Sequence, residues 1–228
     1  MKKQNVLFVI WFLTVAFAFS ACQKSTTEDV QTQSQPVISP TPDENLLIKE
    51  IDFKNFTYPD KKGKNIFTLT NGEEPFGQMK DIAFKLENIE YADLTNDEED
   101  EAIIHILVQY GAGSSGLLYI YTLENNKPKI LWYVESGYGA EGELKNAYAE
   151  NNDLIIELFG DNKFTEARGE FKFPDQKILP KDLCCPTTFT KFRFRWNGDK
   201  FVLDGKPELL DYNWKKKTNK QQSPTSRN

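Results

Sequence analysis

Histidine is almost absent from this chain, which has only His105 among 228 residues. It lies in the apolar run IIHIL, where a partly buried, hydrogen-bonded side chain is expected. A catalytic triad would need a nucleophile and an orienting acid around it, and the nearby Ser114 and Ser115 show no nucleophile-elbow pattern. Cysteine is scarce too, and one histidine with two adjacent cysteines lacks zinc-ligand spacing. The sequence therefore carries no catalytic signature.

Basic residues are also in deficit, because 28 Lys and Arg stand against 34 Asp and Glu, giving a formal charge of −6. Proteins that bind nucleic acid usually present a concentrated basic face. No nucleic-acid partner is therefore expected.

The first residues have the organisation of a secretion signal, in which Lys2 and Lys3 precede an apolar run over residues 6–19. That run is shorter than the roughly 20 residues that a membrane-spanning helix needs. A cleaved signal is therefore favoured, and an uncleaved anchor helix is the alternative.

The sequence FSAC, which ends at Cys22, resembles the lipobox of bacterial lipoproteins, although Phe19 stands where an aliphatic residue is usual. The resemblance implies a signal peptide over residues 1–21 and acyl chains, palmitate among them, on Cys22. Two acyl chains suffice for stable anchoring, so we expect a membrane-attached, extracytoplasmic protein of the cell envelope. Gln23 after the cysteine implies the outer membrane if the cell is Gram-negative. A soluble-secretion signal is the alternative.

Composition divides the remainder into three parts. Residues 22–45 are rich in Ser, Thr, Gln and Pro and are expected to form a flexible tether. Residues 46–214 are long enough for one domain with a real core. The polar, basic tail over residues 215–228 is expected to be disordered.

Short β-rich runs separated by turn signals predict a mainly β fold over residues 46–214. Asn71-Gly72 and Asn197-Gly198 are hairpin-turn pairs, and residues 102–110 and 117–123 should pair across a glycine-rich turn. We expect a single antiparallel domain, either a sandwich or a meander resembling part of a propeller. Residues 82–94 are expected to form a long strand, or a short helix that leads into one, and any other helix is confined to short pieces such as residues 207–212.

Strict alternation marks the run TFTKFRFRW. Phe192, Phe194 and Trp196 should face the core, and Lys191, Arg193 and Arg195 should share the opposite face. That cationic face is interpreted as a solvated sheet surface, or as a patch for an anionic ligand or for the acidic loop.

An acidic loop, DLTNDEEDE, leads directly into the apolar run of residues 102–107. It resembles the DxxGDGxxD loop of FG-GAP (integrin-type) repeats, with Asn96 and Glu98 in place of the two glycines. A similar segment occurs in uncharacterised bacterial lipoproteins. The resemblance implies a Ca²⁺-capable loop, because alternate oxygens in a tight loop can converge on one hard cation. The candidate ligands are Asp93, Thr95, Asp97, the Glu99 carbonyl and Glu101. A metal-free loop of the same shape, or a solvated acidic turn, is the alternative.

The segment GAGSSG satisfies GxGxxG by letter, but a strand rather than a helix is predicted after it. A dinucleotide site requires the helix, so the glycines are interpreted as a hairpin loop. With a second glycine-rich loop over residues 136–142, Tyr110, Tyr138 and Ser114 could form a surface for a glycan or a peptide. Mobile surface loops are the alternative.

Cys184 and Cys185 are the remaining thiols, in a compartment that favours oxidation. Adjacent Cα atoms lie about 3.8 Å apart, which is below the usual disulfide range. A strained vicinal disulfide, two buried thiols, and a redox or intermolecular role all remain open. The uncharacterised lipoproteins noted above also carry Cys-Cys-Pro near this place.

Together these features indicate a lipid-anchored binding or envelope-associated module without catalytic activity, with a protein or glycan ligand. The alternative is a hydrolase of an envelope or extracellular polymer that uses acids such as Glu101 and Asp97.

Overall fold

A computed structural model describes residues 46–59, 65–79, 81–111, 113–174 and 185–213, all within one compact unit. Four predicted features lie outside the described residues: the signal peptide, the lipidated Cys22, the tether and the basic tail. They remain predictions. Within the described part, no helix is long and apolar enough to cross a membrane.

The described residues form antiparallel strands and one short 3-10 helix, so the predicted mainly β, antiparallel fold is confirmed. A 3-10 helix (Ile48–Glu50) comes first and is followed by the hairpin of β1 (Thr57–Pro59) and β2 (Asn65–Thr68). Asn71 and Gly72 then have φ values of +55° and +88°, so this Asn-Gly pair is a turn as predicted.

Five long strands make up the central sheet, and they are neighbours in space in the order in which they occur in sequence. They are β3 (Glu73–Met79), β4 (Ile82–Ala92), β5 (Glu101–Tyr110), β6 (Gly113–Glu124) and β7 (Lys127–Tyr138). Asn125 and Asn126 join the last two with φ values of +54° and +58°, the left-handed conformation that a two-residue hairpin turn requires. The central sheet is therefore a meander.

A second sheet follows in the sequence. Its first strands are β8 (Leu144–Glu150) and β9 (Asp153–Phe159), and the hairpin of β10 (Lys163–Thr165) and β11 (Glu170–Lys172) comes next. Then come β12 (Thr188–Trp196), β13 (Phe201–Leu203) and β14 (Glu208–Asp211). The spatial order is β13-β12-β9-β8, and β14 also pairs with β12.

Two apolar cores lie on opposite faces of the central sheet. The first core fills the space between this sheet, the 3-10 helix and β1–β2, and includes Ile104 and Tyr119. The second core lies between the two sheets and includes Ile103 and Leu118. Successive side chains of a strand point to opposite faces, which explains why the middle of both strands, residues 102–108 of β5 and 117–121 of β6, is almost continuously apolar. The two sheets with their shared core form a sandwich.

Two details differ from the sequence predictions. Residues 207–212 are not helical, because residues 208–211 form β14 and pair with residues 188–191 of β12. That pairing is with a distant segment, and its hydrogen bonds outweigh the local preference. In addition, β6 begins at Gly113, so the last four residues of the glycine motif, residues 113–116, are part of a strand rather than of the predicted hairpin loop.

Phe194 of β12 joins three elements in the second core. It is fully buried, and its ring centroid lies 4.8 Å from that of Trp132 on β7 and 5.0 Å from that of Phe164 on β10. The aromatic face predicted for this strand is therefore confirmed as a core face.

Replacement of Phe194 by Ala should lower the free energy of unfolding by about 3–5 kcal/mol, since it removes buried ring surface and leaves a cavity. Urea unfolding measures the change. The matched control is Leu209→Ala on β14, whose side chain is 53% exposed and whose loss should cost less than about 0.5 kcal/mol. Equal effects of the two substitutions would contradict this account of the core.

Candidate functional site

The acidic loop joins β4 to β5 and is held by its own side chains. The Asp93 carboxylate accepts hydrogen bonds from the backbone N–H groups of Asn96 (2.6 Å), Asp97 (3.2 Å) and Glu98 (3.2 Å). The Asp97 carboxylate accepts another from the Glu99 N–H at 3.0 Å. Each carboxylate thus satisfies backbone donors that the tight turn leaves without strand partners.

The backbone of this loop is left-handed at two positions. Asn96 has φ +61° and Glu98 has φ +71°, and these are the positions at which the FG-GAP loop has glycines. Asn tolerates that conformation, whereas for Glu it costs roughly 1–2 kcal/mol. The hydrogen bonds to Asp93 offset this cost.

Glu101, the first residue of β5, is fully buried. Its Oε2 accepts hydrogen bonds from the N–H groups of Leu94 (2.8 Å) and Thr95 (3.1 Å). Burial raises the pKa of Glu101 to about 7; the bond from Leu94 opposes this shift, and the nearby Asp97 charge adds to it. The side chain therefore closes the base of the loop.

Three of the predicted calcium ligands are already hydrogen-bonded within the loop. Asp93, Asp97 and Glu101 all direct carboxylate oxygens at backbone N–H groups of the loop, and Glu99 is exposed. Among the residues that the structure describes, no group of three or more His, Cys, Asp or Glu side chains is arranged to hold a metal ion. Calcium binding by this loop stays a prediction.

A tyrosine surface, made of Tyr110, Gly113, Ser115 and Tyr138, lies at one end of the central sheet. Tyr110 and Tyr138 are 37% and 41% exposed, and their ring centroids lie 6.0 Å apart at an interplanar angle of 43°. Tyr110 and Ser115 share a hydrogen bond of 3.3 Å between their hydroxyls. The two glycine-rich segments thus bring together the tyrosines named from the sequence.

Ser114 does not belong to this surface. Because side chains alternate along β6, Ser114 points to the opposite face, where its hydroxyl donates to Glu143 Oε1 at 2.7 Å. Burial raises the pKa of Glu143, and the Ser114 hydrogen bond opposes that shift. The prediction of Ser114 at this surface is therefore wrong. Ser115 is the serine on the tyrosine face, where it is buried and hydrogen-bonds Tyr110.

Two glycines of the motif are required by close packing. A Cβ on Gly113 would lie 2.1 Å from the Tyr138 hydroxyl, and one on Gly116 would lie 2.6 Å from Leu144 Cβ. Such distances do not occur between real atoms of this kind. The glycines therefore admit Tyr138 and the second sheet, and the strand that follows them gives a phosphate no helix N-terminus.

A cavity of about 290 Å³ borders β7. One wall is formed by residues 133–136, which include Glu135 and Ser136, and the other by residues 169–171 and Phe173, which include Glu170 and Phe171. Glu135 pairs with Leu117 across the strands and so shares the face of the central sheet that carries the tyrosine surface. The cavity lies at the edge of the central sheet, where Glu135 faces the side of the tyrosine surface and Phe171 and Phe173 pack against the second core on the other side.

A further cavity, of about 540 Å³, lies between the acidic loop, the 3-10 helix and the β6–β7 turn. Its lining includes Leu47, Lys49 and the acidic residues 98–100.

The cationic face of β12 is neutralised within its own sheet. Arg193 and Arg195 both bond Asp153, at 3.0 and 3.1 Å, and Arg195 also bonds Asp204 at 3.0 Å. Lys191 and Arg193 pair with Glu150. These cations contact acids of neighbouring strands rather than the acidic loop, so the interpretation as an anion-binding patch loses its support.

His105 is buried, and no described residue hydrogen-bonds its Nε2. The predicted burial is therefore correct, and the expected hydrogen bond of the ring, which is not at Nε2, stays a prediction. Burial lowers the pKa of His105 to about 4, so the ring is neutral at physiological pH. Cys185 is half-buried, and Cys184 lies outside the described residues, so the vicinal disulfide stays a prediction.

Comparison with protein-family models, curated proteins and solved structures gives no match to this chain.

Glu101→Gln should change how stability depends on pH. The folded-state pKa of Glu101 is raised from 4.5 to about 7, so its contribution is fully present below pH 4.5 and is lost as the pH rises through 7. Glutamine stays neutral, so the variant should lose less unfolding free energy between pH 5 and pH 8 than the natural chain. Urea unfolding at both pH values measures this, with the exposed Glu99→Gln as control. An equally steep loss in Glu101→Gln would refute the buried-acid explanation.

The FG-GAP resemblance predicts that Ca²⁺ raises the melting temperature of the full-length protein, because a ligand that binds only the folded state stabilises it. Asp97→Ala should abolish the rise, and Asp199→Ala, in the β12–β13 turn, should keep it. Calorimetry in Ca²⁺ and in chelator measures both. Identical melting temperatures at millimolar Ca²⁺ would show that hydrogen bonds alone hold the loop.

Proposed function

We propose that this protein is a lipid-anchored binding module of the cell envelope, exposed outside the cytoplasm, on the outer membrane if the cell is Gram-negative. The observation that carries the binding role is the exposed pair of Tyr110 and Tyr138 at the end of the central sheet.

The anchor is supported by the N-terminal sequence. Lys2 and Lys3, the apolar run and FSAC place Cys22 where a lipoprotein cysteine would be acylated. Acyl chains on one residue fix a domain to a membrane without a spanning helix.

The binding role is supported by the composition of the tyrosine surface and its surroundings. Tyrosine gives a large, rigid contact area at low entropic cost, and Ser and Gly add hydrogen bonds and close approach, a combination that recurs in binding surfaces. Tyr110, Gly113 and Tyr138 lie on the three strands β5, β6 and β7, and the buried Ser115 hydrogen-bonds the Tyr110 hydroxyl. An open platform of this kind suits recognition rather than chemistry.

A second candidate is a hydrolase of an extracellular polymer, which the cavity beside β7 favours. Glu135 and Glu170 both line that cavity, and paired carboxylates perform glycosidic hydrolysis when they flank the bond. These residues replace Asp97 and Glu101 as candidate acids. Glu101 is fully buried and cannot touch a polymer.

Lipidation provides the test of the anchor. Cells that express the full-length protein and are fed an alkyne fatty acid should incorporate the label, and the protein should sediment with membranes. Cys22→Ser should lose the label and leave the membrane fraction, because the acyl attachment atom is gone, while Cys185→Ser should keep both. Label in the Cys22→Ser variant, or an unlabelled natural chain, would contradict the proposal.

A further inference from the structure

We infer that the tyrosine surface binds a neutral saccharide chain, which continues along β7 to the cavity beside Glu135. The inference rests on the proposed function, because it names the ligand class of the same surface.

The tyrosine hydroxyls are turned towards the protein. The Tyr110 hydroxyl bonds Ser115, and the Tyr138 hydroxyl lies against Gly113, where even a methyl group would not fit. The exposed fraction of each residue therefore belongs mainly to its ring. Aromatic faces carry negative potential and attract C–H groups, and pyranose rings present such C–H groups on their flat sides. Two rings 6.0 Å apart can stack on neighbouring sugar units.

The charge around the surface selects against anionic ligands. Residues 109–116 and 136–143 contain two Glu and neither Lys nor Arg. Glu135, on the same face, is exposed. Within these two segments a phosphate or uronate chain would find no cationic partner, and Glu135 would repel it. Sugar hydroxyls, in contrast, are donors that the Glu135 carboxylate can accept in charge-assisted hydrogen bonds.

The spacing along β7 suits a chain rather than a single sugar. Glu135 and Tyr138 lie opposite Leu117 and Ser115 of β6 across a register shift, so they are separated by two steps of that strand, about 7 Å. The cavity of about 290 Å³ continues from Glu135 to Phe171 and Phe173. A saccharide that stacks on the tyrosines can therefore reach the Glu135 carboxylate on the same face, and beyond it the cavity at the edge of the sheet.

An extended peptide is the competing occupant. Peptides that add to a sheet use an exposed edge ladder and pockets for alternate side chains. The edge strand β7 carries exposed charges at Lys127, Lys129 and Glu135 and two register shifts against β6, features that oppose strand addition. The observations therefore favour the saccharide.

The test uses purified full-length protein in detergent, with cellohexaose and the hexamer of N-acetylglucosamine as probes and denatured casein as an unfolded peptide. Calorimetry should show saturable binding of at least one oligosaccharide. Tyr110→Ala and Tyr138→Ala should each weaken it about tenfold or more, the effect of losing one stacking ring. Tyr138→Phe, which keeps the ring, should bind like the natural chain, and so should Leu209→Ala on the second sheet. Thermal melting identifies any variant that is not folded.

The outcomes separate the ligand class from the proposed function. Binding of casein alone, lost in Tyr138→Ala, would overturn the saccharide and keep the binding module. Oligosaccharide binding that both tyrosine variants retain would overturn the location. No binding of any probe by the natural chain would overturn the saccharide and remove the support for the binding role. Release of reducing ends, lost in Glu135→Gln, would keep the saccharide and replace the module by the hydrolase.

Discussion

Burial of the central sheet on both faces is the constraint on which the rest of this structure depends. Antiparallel sheets commonly leave one face to solvent, but here β5 and β6 contribute side chains to two cores at once. Every nearby element must then cover one of the two faces. The second sheet approaches so closely that Gly116 has no room for a side chain beside Leu144. The tyrosine surface lies at the end of this sheet, where Tyr110 and Tyr138 extend past the first core.

Several charged side chains of this protein are paired with groups close to them in the fold. The acidic loop turns its carboxylates onto its own backbone, and the cations of β12 are neutralised by Glu150, Asp153 and Asp204. The cations of β12 are therefore not a ready site for an anionic ligand. The two glycine-rich segments that carry the tyrosine surface, by contrast, contain Glu141 and Glu143 but no Lys or Arg. The charge of these segments therefore favours a neutral partner rich in hydroxyl groups.

Sequence patterns predicted the structural features that depend on residues adjacent in the chain. Alternation identified the core face of β12, and Asn-Gly signals located turns, because both are local properties. The FG-GAP resemblance pointed to two left-handed positions, which the structure has at Asn96 and Glu98. Long-range pairing was not predictable in this way. It converts residues 208–211 into a strand, extends β6 back to Gly113, and assigns Ser115 rather than Ser114 to the tyrosine surface. No pattern in the sequence marked Glu170 as a neighbour of Glu135.

The position of β7 at the edge of the central sheet connects the fold to its ligand. An edge strand offers unpaired backbone groups that can recruit another strand, and proteins oppose this with charges and bulges. β7 has both, including Lys129, which pairs with Glu124 on its neighbour. A saccharide needs no backbone ladder, since it is held by ring faces and by acceptors for its hydroxyls. The same features that protect this edge from aggregation therefore leave Tyr138 and Glu135 available to a sugar chain.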